Sequence, residues 1–221
     1  MRLLAIDTSS AAITAAIHDG TSVVAEATEL GAQSHGELLA PTIDRVLRES
    51  GVAVDELTHV VVGVGPGPFT GLRVGLVTAR VMAEALGLTA YGVCSLDALA
   101  AEALAAGAVQ GAFAVATDAR RKEVYLAAYD AEGVRLGEPD VVRPADVDRA
   151  LAAGPVAGAG AWLYPDTFVD PREPRLVSAA WVATYAVARL DAGEALLDTT
   201  PMYLRRPDAV ESHARKRVTQ P

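Results

Sequence analysis

Apolar and polar positions follow two periods along this chain, and the switches between them outline its elements. Residues 3–6 are a short apolar run, the pattern of a buried strand. A second strand is predicted at 11–17 and a third at 22–28, joined by the hairpin pair Asp19-Gly20. The period then becomes helical over 34–49, with Leu38, Leu39, Ile43, Val46 and Leu47 on one face and Gly51 closing it. Residues 60–86, VVVGVGPGPFTGLRVGLVTARVMAEAL, read as a buried strand (59–64), a glycine-proline loop and a helix over 70–86. Thr70 is placed to cap that helix and Gly87 to end it. A strand at 89–93 and a helix at 95–106, capped by Ser95 and ended by Gly107, complete a β-β-β-α-β-α-β-α order.

The second half begins the same way. Strands are predicted at 112–117 and 123–129, a turn at 130–133 and a third strand at 134–136. A proline-led helix follows at 144–151, then a strand at 155–159, an irregular loop at 164–174, and a helix at 178–190 capped by Ser178 and ended by Gly193. No literal repeat is present, but the order of elements partly repeats. This implies a duplicated mixed α/β fold with a cleft between two lobes, the plan of the actin, sugar kinase and Hsp70 (ribonuclease H-like) group. The divisions expected are an N-terminal lobe (1–107), a reduced C-terminal lobe (108–200), and a basic tail (201–221) that either packs back on the first lobe or is partly disordered.

Bulk composition narrows the class. Of 221 residues, 51% are hydrophobic and only 5% aromatic, so alanine and valine build the core and favour close helix–sheet packing. The net charge of −9 sets the surface as a whole against nucleic acid. The tail is the exception, with Arg205, Arg206, Arg215, Lys216 and Arg217 against Asp208 and Glu211. Cys94 is the only cysteine, which excludes an internal disulfide and a cysteine metal site. The start, MRLLAIDTSS, lacks a signal-peptide pattern, and no apolar run reaches the length of a membrane span. A soluble cytoplasmic protein is expected.

Several positions could carry chemistry, and each has a plain structural alternative. The loop at Gly67 offers free backbone N–H groups and a helix dipole, which suit a phosphate or a docking partner; a tight turn with a cap serves equally. It is not a phosphate-binding Walker loop, because no Gly-Lys pair occurs. Asp7, Thr8, Ser9 and Ser10 supply a carboxylate and three hydroxyls after the first strand, enough for a phosphate or hydrated Mg²⁺; they also suit an Asx turn. In the actin-like plan Asp7 and Asp118 would face a nucleotide, although no glycine lies between Met1 and Asp19 to let phosphates approach. Asp118, Arg120, Arg121, Lys122 and Glu123 form a charged turn that either binds an anion or partner or is a solvated tip. Arg73 stands in the first helical turn, where the dipole disfavours a cation, so it pairs with an external group or extends to water. His18, His35, His59 and His213 form no metal-binding spacing, and nothing near Cys94 activates it. Ser178 and Ser212 have no triad pattern around them.

IDTSS, GPGPFTGLRVGLVTARVMAEALG and DARRKEVY stand in the order and spacing of one family, and QSHGELLAPTIDRVL and PMYLR fit it too. The chain resembles the TsaB (YeaZ) family from end to end. That family is a paralogue of TsaD, which carries the site for N6-threonylcarbamoyladenosine at position 37 of ANN-decoding tRNAs. TsaD has an H-x-x-x-H metal motif where this chain reads GVCSLDALA, with Ser95 and Leu99 at the histidine positions; neither can replace an imidazole on a metal. The adenosine segment is reduced to VAGAGAW.

The resemblance therefore implies a non-catalytic subunit with no catalytic residues, metal or cofactor of its own, unless ATP or ADP binds weakly or at a shared interface. It implies a complex with TsaD, a ternary complex with the ATPase TsaE, a homodimer when alone, and contact with tRNA through the complex. Helices 34–49 and 70–86 carry the partner surface in the family, here His35, Leu38, Leu39, Thr42, Gly71, Arg73, Gly75, Thr78 and Met82. The small residues Gly71, Gly75, Thr78, Ala79 and Ala83 would let a partner helix approach closely, unless that stripe covers the chain's own sheet. A phosphotransferase or ATPase of the actin-like group is the competing reading. A metalloprotease lacks its histidine pair.

Overall fold

Ten strands fall into two sheets of one plan in the computed structural model, which describes residues 1–31 and 34–205. The first sheet contains β1 (Leu3–Asp7), β2 (Ala12–His18), β3 (Val23–Leu30), β4 (His59–Gly63) and β5 (Ala90–Val93), in the order β3-β2-β1-β4-β5. The second contains β6 (Phe113–Asp118), β7 (Val124–Tyr129), β8 (Asp140–Val142), β9 (Pro155–Ala157) and β10 (Asp170–Arg172), in the order β8-β7-β6-β9-β10. In each, the opening strand pairs antiparallel with the next and parallel with the fourth, so the duplication expected from the element order is present.

The alternation of side chains along each strand builds the layers. Leu3, Ala5 and Val61 point to a middle layer made by α3 (Ser95–Ala105) and α6 (Ala179–Asp191). Phe113 and Val115 point to that layer from the second sheet. Leu4, Ile6, Val60 and Val62 face outward, onto α1 (His35–Ser50) and α2 (Phe69–Ala85). Ala114 and Ala116 face α5 (Ala159–Leu163) and the short α4 (Arg149–Ala153) on the far side. The helices are thus exchanged. The C-terminal α6 packs on β1 and β2, while α3 also reaches β6. The two sheets fall on either side of residue 107, and their inner faces share one core.

Other elements depart from the sequence reading for local reasons. The third strand of the second lobe is at 140–142, not 134–136. Arg135 makes only an isolated bridge with Tyr129, and its guanidinium lies 2.9 and 2.8 Å from the two oxygens of Asp97. The helix expected at 144–151 is a 3-10 turn, Pro144–Asp146, followed by α4, whose cap Asp148 accepts from Ala150 and Leu151. The strand at 155 stops at Ala157, where Gly158 at φ +100° turns the chain so tightly that a Cβ would lie 2.2 Å from the Ala116 oxygen. The loop predicted at 164–174 contains β10. Ser178 caps α6 as expected, but Pro68 and Cys94, not Thr70 and Ser95, occupy the cap positions of α2 and α3.

Residues 197–202 return to the first lobe. Gly92 N–H donates to Leu197 O (2.7 Å) and Leu197 N–H to Gly92 O (3.1 Å), covering the β5 edge. Arg80 Nε donates to Thr199 Oγ1 (2.8 Å), and Met202 N–H donates to Val64 O (2.8 Å). The remaining basic residues assigned to the tail, from Arg206 on, lie outside the described residues.

Candidate functional site

The loops after the first strand of each lobe, the glycine-proline loop and α2 meet at the lobe junction. Asp7 ends β1 and is wholly buried. Its Oδ1 accepts from Ser9 N–H (2.8 Å) and Ser9 Oγ (2.7 Å), and its Oδ2 accepts from Ser95 Oγ (2.6 Å). Ser95 Oγ in turn accepts from Gly65 N–H at 3.2 Å. Burial raises the Asp7 pKa, and the hydrogen bonds from Ser95 and Ser9 hold it back. A Cβ on Gly63 would stand 1.8 Å from Asp7 Oδ2, so the carboxylate occupies the space that glycine leaves.

Thr8 is inserted into α2. Its hydroxyl donates to Gly71 O (2.8 Å) and accepts from Gly75 N–H (3.1 Å), bridging a backbone pair that would otherwise bond directly. A Cβ at Gly71 would lie 2.7 Å from Thr8 O, and one at Gly75 2.4 Å from Thr8 Oγ1. The stripe of Gly71, Gly75, Ala79 and Ala83 therefore packs inside the chain, and the assignment of Gly71 and Gly75 to a partner contact is corrected. His35, Leu39 and Thr42 are likewise buried by the chain itself, His35 Nε2 lying 3.0 Å from Ser10 O. Leu38, Thr78 and Met82 are half-buried. Of the residues assigned to the partner face, Arg73 is the exposed one, beside Val77 (56% exposed) and Val81 (60%), which the sequence reading missed. Residues a turn apart share a face, which would have indicated this outer row.

Gly67 completes the closure, since a Cβ there would meet Ser9 O at 2.3 Å. Asp7 and Thr8 are thus engaged with Ser9, α2 and α3, while Ser9 and Gly67 also border the open cleft. Ser95 is the partner of Asp7, and Leu99 is fully buried in the middle layer. Among the described residues no three of His, Cys, Asp and Glu converge as a metal site. Burial pushes the Cys94 thiol up to about 12, the reverse of what a nucleophile needs.

Asp118 lies at the mouth of the cleft. Its Oδ1 accepts from Arg120 N–H (2.7 Å) and its Oδ2 is 3.2 Å from the Arg120 guanidinium. Arg120, Arg121 and Lys122 all have left-handed φ, +61°, +54° and +61°. Non-glycine residues in that region are strained by about 1–3 kcal/mol each. The turn is held by Arg205, which donates to Ala119 O (2.9 Å) and pairs with Glu123. Arg73 lies 3.6 Å over the Phe69 ring and donates to Tyr203 Oη at 3.0 Å. Two cavities open here, about 370 and 430 Å³, both bordered by Pro68 and Arg120. The first reaches Trp162 and Arg175, the second Phe69 and Tyr203.

Two lobes of equal strand order, sharing a helical middle layer and meeting at these loops, define a duplicated actin-like α/β protein. Residues 23–163 match the family described as TsaD: tRNA N6-adenosine threonylcarbamoyltransferase, and the chain belongs to that family. It is 42% identical over 212 residues to the uncharacterized protein Rv3421c of Mycobacterium tuberculosis, covering 94% of this chain and 93% of that one. It is 36% identical over 141 residues to the tRNA threonylcarbamoyladenosine biosynthesis protein TsaB of Escherichia coli, covering 62% and 60%. The solved structure of YeaZ from Pseudomonas aeruginosa superposes with a TM-score of 0.78 at 29% identity, covering 92% of this chain and 99% of that one. No helix among the described residues is long and apolar enough to cross a membrane.

Proposed function

We propose that this chain is the TsaB-type, non-catalytic subunit of the complex that makes N6-threonylcarbamoyladenosine at position 37 of ANN-decoding tRNAs. The observation that carries the reading is the fate of the two histidine positions. Ser95 is hydrogen-bonded to a buried aspartate and Leu99 is core, so the pair of imidazoles that a catalytic relative needs has been replaced by packing. What the chain contributes is a surface. The outer face of α2 carries Phe69 (43% exposed), Val77 and Val81, and helix ridges of this kind fit the grooves of a partner helix. TsaD is the partner proposed for that face, with TsaE joining the pair and a second copy of this chain using the face when TsaD is absent.

Reconstitution tests the reading. Threonylcarbamoyladenosine is measured in an ANN-decoding tRNA supplied with donor, TsaD and TsaE, with and without this chain. Product is expected only when TsaD and this chain are both present. Product from this chain without TsaD, or undiminished product when the chain is omitted, overturns it.

A further inference from the structure

We propose that residues 198–205 form one wall of the docking face on α2, and that the face receives a helix whose apolar ridge is flanked by a carboxylate. This rests on the proposed use of α2 as the partner surface and adds to it a second segment and a chemical requirement.

Two arginines of α2 hold the segment beside the helix. Arg80 Nε donates to Thr199 Oγ1 (2.8 Å), and Arg73 Nε donates to Tyr203 Oη (3.0 Å). Arg73 and Arg80 are separated by about 10.5 Å of helix at roughly 1.5 Å per residue. Thr199 and Tyr203 are about 13 Å apart when the chain between them is extended. The segment therefore runs antiparallel to α2 along two of its turns. Phe69, Arg73, Val77, Arg80 and Glu84 are exposed on one face of those and the flanking turns, with Val81 at its border. Helices pack with axes about 8–10 Å apart, and side chains give each a diameter of about 10–12 Å. A helix seated on Val77 at that distance also meets the residues that lie beside Arg73 and Arg80.

Tyr203 gives the wall its shape. Its ring centre is 4.9 Å from that of Phe69, and the Arg73 guanidinium lies 3.6 Å over the Phe69 ring. The three side chains support one another, so little of their freedom is left to lose when a partner arrives. Tyr203 still keeps 39% of its surface exposed, and the preceding Met202 N–H anchors it by donating to Val64 O (2.8 Å). Tyrosine and arginine beside an apolar ridge are the residue types that dominate association energies. Arg73 sets the chemical requirement. Its contacts are with neutral groups, a phenol and a ring, and it makes no ion pair among the described residues. Glu84, on the same face, stands roughly 16 Å further along the helix, and Asp198 lies beside Arg80. The fork of the two terminal nitrogens of Arg73 is thus left for a carboxylate of the incoming helix.

The test uses the full chain with TsaD, read by calorimetry and by hydrogen exchange of the complex. On adding TsaD, exchange protection should rise in α2 and in residues 198–205 together. Tyr203→Ala should weaken association at least about tenfold, with the melting temperature within about 3 °C of the parent. Tyr203→Phe keeps the ring and loses only an exposed hydrogen bond, so its affinity should stay within about threefold. Arg73→Lys keeps the charge and loses the fork, and should weaken association about fivefold or more. Val77→Asp is the control on α2 itself and should abolish association. Protection of α2 without residues 198–205, or parental binding by Tyr203→Ala, would overturn the proposal and leave α2 as the partner surface. Tighter binding by Tyr203→Ala would do the same, since the segment would then obstruct the face. Parental binding by Arg73→Lys overturns the carboxylate requirement. Parental binding by Val77→Asp, with no protection on α2, overturns the underlying reading and the proposal with it. If Tyr203→Ala does not fold, the exchange measurement on the unmodified chain decides.

Discussion

The substitution Gly75→Ala asks what the small-residue stripe on α2 is for. In an isolated helix the change stabilises by about 1 kcal/mol, because alanine is the better helix former. Here the new Cβ would stand 2.4 Å from Thr8 Oγ1, roughly an ångström inside ordinary contact. Thr8 is 1% exposed, so the hydroxyl can leave only by rotating away from Gly71 O and Gly75 N–H. Losing two buried hydrogen bonds at about 1 kcal/mol each, with overpacking of about 1–3 kcal/mol, outweighs the helical gain. The expected net loss is ~2–4 kcal/mol. At about 2–4 °C per kcal/mol for a chain of this size, the melting temperature should fall by about 4–16 °C.

The partner mutation sharpens the test. Thr8→Ala removes the obstructing oxygen and lets Gly75 N–H bond directly to Gly71 O, so the double variant Thr8→Ala/Gly75→Ala should be more stable than additivity predicts by about 1–2 kcal/mol. Urea and thermal melts of the four proteins close the cycle, with light scattering on the same samples. If Gly75→Ala melts at or above the parent, or shifts only the oligomeric state, the stripe faces outward and the reasoning fails.

Three further outcomes follow from the geometry. Glu102 has a partly buried carboxyl with an oxygen that finds no hydrogen-bond partner among the described residues, and burial together with Glu26 raises its pKa from 4.5 to about 7. Its contribution to stability is therefore present below about pH 4.5 and lost as pH rises through about 7; Glu102→Gln should stabilise the chain at pH 8 by ~1 kcal/mol after solvent screening is allowed for, with no gain at pH 4, read from urea melts at both values. Ser95→Ala leaves Asp7 Oδ2 without its 2.6 Å donor and should destabilise by about 1–3 kcal/mol, the usual penalty for an unsatisfied buried polar atom; an unchanged melting point would show that the contact is unimportant. Arg73→Glu should weaken association with TsaD at least tenfold while lowering the melting temperature by less than about 3 °C, because its contacts to Phe69 and Tyr203 are exposed; a large melting shift with unchanged affinity, measured by calorimetry, makes the residue structural.

Much of the fold was legible in the pattern of residues. Long helices with one apolar face, such as α1, and apolar strands such as β4 declare themselves because period and burial agree. Short elements did not. β8, β10 and α5 have three, three and five residues, too few for a period to show, and exist because a neighbouring strand or helix already offers partners. The order of strands was enough to suggest duplication, but not that α3 and α6 would lie in one shared layer, since which sheet a helix covers depends on chain crossings that no local pattern records.

At the site, residue type indicated importance without indicating direction. A row of glycines on a helix says that something comes close. Only the tertiary structure identifies the neighbour as Thr8 of the same chain. An aspartate after the first strand says that a carboxylate is wanted. Its three short hydrogen bonds from Ser9 and Ser95 turn it inward, away from any ligand. The two cavities bordered by Pro68 and Arg120 were beyond sequence reasoning for the same reason. Their lining comes from residues 9 to 205, each unremarkable alone, and long-range packing brings it together. Sequence determines which faces must be buried and which turns are feasible; the enclosure of those faces by distant segments decides which polar groups remain free to bind.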